Sequence, residues 1–247
     1  EDSPVDNIGG VLSVIGVACL IMGIQTLPNG FSATMGVLFG VAAVAIALFF
    51  WRQTRAPRPL VDLKAASVPS FWVAAVAGTI TFGSLMGALF LGSQFTQNVL
   101  GYDALKAALV TLPMSLALML VSPVAGKVVA SRGSRFTLAV GLIIVAVGFI
   151  VMVLTWRSTA GVGVVLLAYA IVGAGVGVCA TPAAHSLMAS LPVSRAGMGS
   201  AFTDLTRDFG GAIMQAVMGT VLAIVYANYF EKAFASLPPQ EAANLSD

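Results

Sequence analysis

Residues 136–155 read FTLAVGLIIVAVGFIVMVLT, twenty positions with no charged side chain among them. A hydrocarbon core about 30 Å thick is crossed by roughly 20 apolar residues at about 1.5 Å per residue, so this stretch has the length and chemistry of a membrane-spanning helix. A spanning strand would alternate polar and apolar positions. No such period runs through the segment, so its backbone must satisfy its hydrogen bonds within a helix. Working outward, six further apolar runs of that kind lie near 8–26, 33–51, 70–98, 105–126, 161–189 and 198–227. The fold class expected is an all-α polytopic membrane protein with seven transmembrane helices.

The whole composition agrees. Hydrophobic residues make up 58% of the chain and charged residues 9%, with a mean hydropathy of +0.97, against roughly 25% charged in an average soluble domain. The first residue is Glu1, and no basic stretch or small-residue cleavage site precedes the first apolar run, so nothing reads as a signal peptide and the chain reads as a piece of something longer. Cys19 and Cys179 both fall inside spans, where a lone thiol behaves as a small apolar residue.

Placement of the cations gives an expected orientation, because Lys and Arg collect in cytoplasmic loops near helix ends. On the side of the chain's N-terminus lie Arg52, Arg55, Arg58, Lys64, Lys127, Arg132, Arg135 and Arg195, and on the other only Lys106, Arg157 and Lys232. The N-terminal end is therefore expected to be cytoplasmic and the C-terminal end extracytoplasmic. Arg207 belongs to neither side.

The first two runs, joined at Pro28-Asn29-Gly30, are almost wholly apolar and read as lipid-facing packing helices; Gly36 and Gly40 form a Gly-x-x-x-Gly pair that admits a close neighbour. The segment RQTRAPRPLVDLKAASVPS, residues 52–70, then breaks the pattern with three prolines and four cations. This places a boundary near residue 68: two helices and a cytoplasmic linker over 1–68, five helices over 69–228, and an extracytoplasmic loop over 229–247. The third run carries Thr79, Thr81, Ser84, Ser93, Gln94, Thr96, Gln97 and Asn98. Either part of that polar load faces water or protein, or the hydroxyls bond back to their own helix and the amides mark the exit into headgroups. Span six holds Gly173, Gly175 and Gly177, then Pro182 and His185; the glycines serve packing, or the proline marks a bend beside a cavity.

Charge inside hydrocarbon is the strongest functional signal. Asp204, Arg207 and Asp208 are spaced three and four apart, which puts all three on one helical face, and counting about 14 Å along the helix from Met198 sets Arg207 near the midplane. At the centre of a span each ionised group costs about 2.5 to 3.5 kcal/mol on the insertion scale. A local salt bridge would satisfy one acid, but one Arg cannot balance two carboxylates, and the second is a proton-exchange site in outline. His185, the chain's single histidine, is either interfacial or a participant in that cluster. No phosphate-binding glycine loop, clustered metal ligands or activated nucleophile is present, so neither an enzyme, a cofactor, a metal nor nucleic-acid binding is expected.

Four stretches together resemble the C-terminal part of the fourteen-span drug/proton antiporter branch of the major facilitator superfamily. The linker RPLVDLKAASVPSFW is similar to the family's segment before its ninth span. QNVLGYDALKAALVTLPMSLALMLVSPVAGKVV puts Gln97, Gly101, Tyr102, Pro113, Pro123 and Gly126 on family positions. From Gly126 to Arg135 the superfamily's cytoplasmic loop motif is kept at Gly126, Gly133 and Arg135, while Ala130 replaces its acid. PAAHSLMASLPVSRAGMGSAFTDLTRDFGG aligns Pro182, Pro192, Gly197, Gly199, Asp204, Arg207, Gly210 and Gly211, with His185 where many members have an acid and Asp208 where Gln or Glu is usual.

That resemblance implies a partial major-facilitator fold, made of both extra central helices and five helices of the C-terminal bundle, with the N-terminal bundle and last span elsewhere in the polypeptide. It implies an inner-membrane secondary transporter exporting amphiphilic small molecules in exchange for protons, with lipid and the N-terminal bundle as its other partners. Asp204, Arg207, Asp208, His185, Gln94 and Gln97 are the coupling or substrate candidates. Gly126, Gly133, Arg135, Pro113, Pro123, Pro182, Gly210 and Gly211 are the conformational or packing candidates. An exporter of lipids or siderophores on the same fold is the alternative. A channel lacks a ring of charges or carbonyls, and a seven-span receptor would reverse the loop charges.

Overall fold

The computed structural model describes residues 6–27, 30, 32–55, 69–189 and 196–235. Among them are the helices α1 (Asn7–Thr26), α2 (Ala33–Gln53), α3 (Pro69–Gln94), α4 (Ala104–Val110), α5 (Leu112–Arg132), α6 (Ser134–Thr155), α7 (Val162–Ala189) and α8 (Ala196–Ala235), with a π-helical turn over Phe95–Val99 between α3 and α4. Seven of the resulting helical segments are long and apolar enough to cross a membrane, as the composition required. The linker residues 56–68, with Arg58 and Lys64, the Pro28-Asn29 turn, the segment with Pro192 and Arg195, and residues 236–247 lie outside the described residues.

Three boundaries differ from the hydropathy reading. Span four is two helices: Pro113 has no amide proton to continue the ladder, and at the break the Thr111 amide donates to the Ala108 carbonyl at 3.1 Å. The third span leaves its α-helix at Gln94 for the π-turn. Helix α8 continues to Ala235, seven residues into the stretch read as loop. Pro123 and Pro182, by contrast, sit inside α5 and α7 without ending them.

Spans three and six are the inner helices. Half of each is buried, against 17–28% of the other five, and the outward faces carry residues such as Val153, Leu120 and Ile143 that suit lipid. Helix α7 is packed on two sides through alternating glycines. Gly173 lies against the Met114 carbonyl, and a Cβ on Gly177 would come within 2.8 Å of the Leu118 carbonyl, both on α5. Gly175 faces the opposite way, where a built Cβ would stand 2.6 Å from the Val145 backbone nitrogen on α6. Small residues let helices approach where lipid offers no hydrophobic drive for association.

A second close pair is α3 with α8. Gly78 meets Thr206, Gly83 meets Gly210 and Gly87 meets Met214, a register that runs in the same direction on both helices. The α1–α2 hairpin is closed by Gly16 and Gly23 of α1, against Ile46 and Phe39, and touches the rest of the bundle where α1 meets α8. Gly36 and Gly40 have nothing within 4 Å of a built Cβ. The close approach expected of that pair is thus made by α1's glycines instead, which recur every seven residues and so share a face. At the hairpin's open end Asp6 caps α1 by accepting from the Gly9 amide at 3.0 Å, and it also accepts from Arg52 Nε at 2.7 Å and Gln53 Nε2 at 3.3 Å.

Candidate functional site

The polar load of α3 divides along the line drawn from sequence. Thr79, Thr81 and Ser84 donate to the carbonyls of Ala75, Ala77 and Ile80 at 3.0, 2.7 and 2.8 Å, each four residues back. Those hydroxyls are spent within their own helix, as the back-bonding reading had it. The amides pair with each other's neighbours at the far end: Gln97 donates to the Ser93 hydroxyl at 2.7 Å and Asn98 to the Gln94 side-chain oxygen at 2.5 Å.

On α8, Asp204, Arg207 and Asp208 are all exposed on this chain, and Gln215 shares their face by helical period. The local salt bridge that sequence allowed is not formed: among the described residues the one ion pair is Arg52 with Asp6. Arg207 instead places its guanidinium 5.6 Å from the ring centroid of Phe82 on α3, a cation–π arrangement. The face therefore presents two acids and one cation, uncancelled.

The charged trio lies in the N-terminal third of α8, a helix long and apolar enough to cross a membrane. Behind it, α3, α7 and α8 leave a crevice of about 10 Å³ lined by Gly78, Phe82, Ala184, Leu187, Thr203 and Thr206, room for about one water molecule. Thr206 and Thr203 line it with oxygens whose protons are given to the Thr203 and Gly199 carbonyls at 2.8 and 2.9 Å.

His185 is exposed on α7, three residues after the buried Pro182 and next to the crevice residue Ala184, and it makes no ion pair with Asp204 or Asp208. Gln94 and Gln97 lie at the other end of α3, remote along the helix from Phe82. Gly210 is buried against the Thr79 carbonyl, and Gly211 faces Met86, 3.0 Å from a built Cβ. Pro113 follows the α4–α5 break, and Pro123 is exposed on α5. Gly126 is loosely packed near Thr181, while Gly133, at φ +83, joins α5 to α6 with exposed Arg135 just beyond.

Sequence reasoning did not find Phe82, Gln215 or the Asp6 clamp. The last had a signal, an acid immediately ahead of an apolar helix; Phe82 had none, because its partner is 125 positions away.

Residues 6–215 match the family described as Major Facilitator Superfamily. The chain is 34% identical over 88% of its length to the multidrug resistance protein Stp of Mycobacterium tuberculosis, covering 41% of that protein. It is 31% identical over 97% of its length to the multidrug efflux pump LfrA of Mycolicibacterium smegmatis, covering 48%. To the lincomycin resistance protein LmrB of Listeria innocua it is 27% identical over 98%, covering 52%. The chain thus spans about half the length of the curated relatives it matches. With that match running over the first six apolar spans and through the charged face of the seventh, the chain belongs to the Major Facilitator Superfamily.

Proposed function

We propose that the complete polypeptide is an inner-membrane secondary transporter that exports amphiphilic, often cationic, small molecules in exchange for protons. This chain is then its C-terminal part in a fourteen-span arrangement: α1 and α2 are the extra central helices, and α3 to α8, with α4 and α5 making one span, are five spans of the C-terminal bundle. Its N-terminal end is cytoplasmic and its C-terminal end extracytoplasmic, following the loop cations. Relatives named for multidrug efflux and antibiotic resistance support the reading.

The observation that carries it is the open face of α8, where Asp204, Arg207 and Asp208 stand exposed and form no ion pair among themselves, on a helix long and apolar enough to cross the hydrocarbon. Uncompensated charge at that depth is tolerated where water, a moving solute or another bundle faces it. Two carboxylates beside one guanidinium can trade a proton for a cationic solute, since each occupant displaces the other. Arg207 alternates between its carboxylate neighbours and its stack on Phe82 as the two bundles rock about the cavity. Gln94 and Gln97 contact solute at the outer end, and His185 borders the inner one. The glycine turn at Gly133, with Gly126 and Arg135, belongs to the cytoplasmic loop that accompanies the rocking.

Asp204→Asn and Asp208→Asn in the complete protein, reconstituted with and without a pH gradient and tested on ethidium, read this directly. Gradient-driven efflux is expected to fall by at least about tenfold in one or both, the scale of a lost charged contact. Undiminished gradient-driven efflux in both variants would overturn the assignment.

A further inference from the structure

The turn between α5 and α6 carries charge that the chain around it never answers. From Ala104 to Thr203 the sequence holds no acid, yet Lys127, Arg132 and Arg135 fall close together around that turn. All three are exposed, and among the described residues none of them forms an ion pair. A helix dipole favours cations at the C-terminal end, which accounts for Lys127 and Arg132 near the end of α5. Arg135 has no such support: it stands in the first turn of α6, at the positive end of the dipole, and no acid accompanies it there.

These cations adjoin two apolar tracks. Leu120 and Val124 precede Lys127 at helical spacing on its face of α5 and are 67% and 56% exposed. Arg132 places its guanidinium 5.2 Å from the ring centroid of Phe136. Phe136 begins the second track, which continues along one exposed face of α6 through Ile143 and Val147. Helices α5 and α6 both pack on α7 and meet each other only lightly, so the tracks are separate along the span and converge at the turn. An aromatic ring and long cationic stems at the end of a span suit the headgroup level of a bilayer.

We propose that the α5–α6 turn binds one two-chain anionic phospholipid, its phosphate held by Arg132, Arg135 and Lys127 and its acyl chains laid along the tracks of α5 and α6. Guanidinium groups grip a phosphate through paired N–H donors, and basic clusters at the ends of spanning helices attract anionic headgroups. The phosphate diester supplies the negative charge that Arg135 lacks. Its two chains fill two tracks, where a free anion would fill neither. Such a site needs α5 and α6 to cross a bilayer and is independent of the transporter reading.

The complete protein in detergent is titrated with dioleoylphosphatidylglycerol or dioleoylphosphatidylcholine, and bound lipid is counted by native mass spectrometry. One phosphatidylglycerol is expected to bind at least about tenfold more tightly than phosphatidylcholine, the scale of a charged contact, and inorganic phosphate should not displace it. Lys127→Gln, Arg132→Gln and Arg135→Gln should each weaken it about fivefold, the worth of one cation at an anionic surface. Arg55→Gln, which removes an exposed cation from the end of α2, should leave it unchanged. Wild-type protein gives a second readout that needs no variant to fold. In phosphatidylcholine vesicles, phosphatidylglycerol with a diazirine in one acyl chain is expected to crosslink within 116–124 or 136–147. Equal affinity for the two lipids, an equal loss from Arg55→Gln, displacement by inorganic phosphate, or crosslinks confined to other helices would each overturn the site, whatever the protein transports.

Discussion

A methyl group added at Gly83 would stand 2.9 Å from the carbonyl oxygen of Gly210, so α3 and α8 touch backbone to backbone. Gly83→Ala and Gly210→Ala are therefore expected to destabilise the bundle by about 1–3 kcal/mol each, the usual cost of overpacking a tight contact. Gly211→Ala faces the flexible Met86 side chain and should cost less, and Gly36→Ala meets open space. Reversible unfolding in mixed detergent, read by far-ultraviolet dichroism, ranks the four.

Gly133 closes α5 with φ +83 and ψ 162, a region that is nearly glycine-only. Its replacement by Ala is expected to cost about 1–3 kcal/mol through backbone strain alone. Limited proteolysis between α5 and α6 should quicken in that variant while the distant α1–α2 hairpin keeps its protection.

Asp6 joins both ends of the α1–α2 hairpin. The Gly9 amide first, and then the Arg52 guanidinium, hold its carboxyl below the ordinary value of 3.8. A lowered acid stabilises the fold above its unfolded value and loses that contribution as pH falls through the folded one. The hairpin is thus expected to stay closed at neutral pH and loosen only below about 3.8, the acid's ordinary value. Spin-label distances between the α1 and α2 ends test this across pH; Asp6→Asn should be looser at pH 7 and insensitive to acid.

Arg207 touches Phe82 and no acid, so Arg207→Ala removes a contact worth about 0.5–1 kcal/mol at an exposed site. Thermal unfolding in detergent should move little, while ethidium efflux by the complete protein should fall at least about tenfold if the guanidinium serves transport. A large loss of stability with efflux intact per folded molecule would make the residue structural.

The helices and their approximate ends were legible because a bilayer imposes one length on every span, and hydropathy measures it. The resemblance drew Gly101, Gly133 and Gly210 into view; two have positive φ and the third lies against a carbonyl. The π-turn was not legible, since Phe95–Val99 has the composition of any helix end, and the stacking of Phe95 on Trp156 depends on packing between distant parts of the chain. Nor was Arg207's partner: helical spacing puts Asp204 and Asp208 beside it, and only the packing of α3 against α8 offers it Phe82.

One consequence follows from hydroxyls already engaged. Thr79, Thr81, Ser84, Ser122, Thr137, Thr155, Thr203, Thr206 and Thr220 all donate to carbonyls three or four residues back along their own segments, so these spans are less talkative than their composition implies. A molecule sliding past would find few groups able to name its atoms. Fine discrimination needs buried polar groups that go unanswered by the wrong guest; in the exporter proposed above, a wall whose polar groups answer themselves would sort by girth, oiliness and sign of charge, and would admit strangers of many shapes.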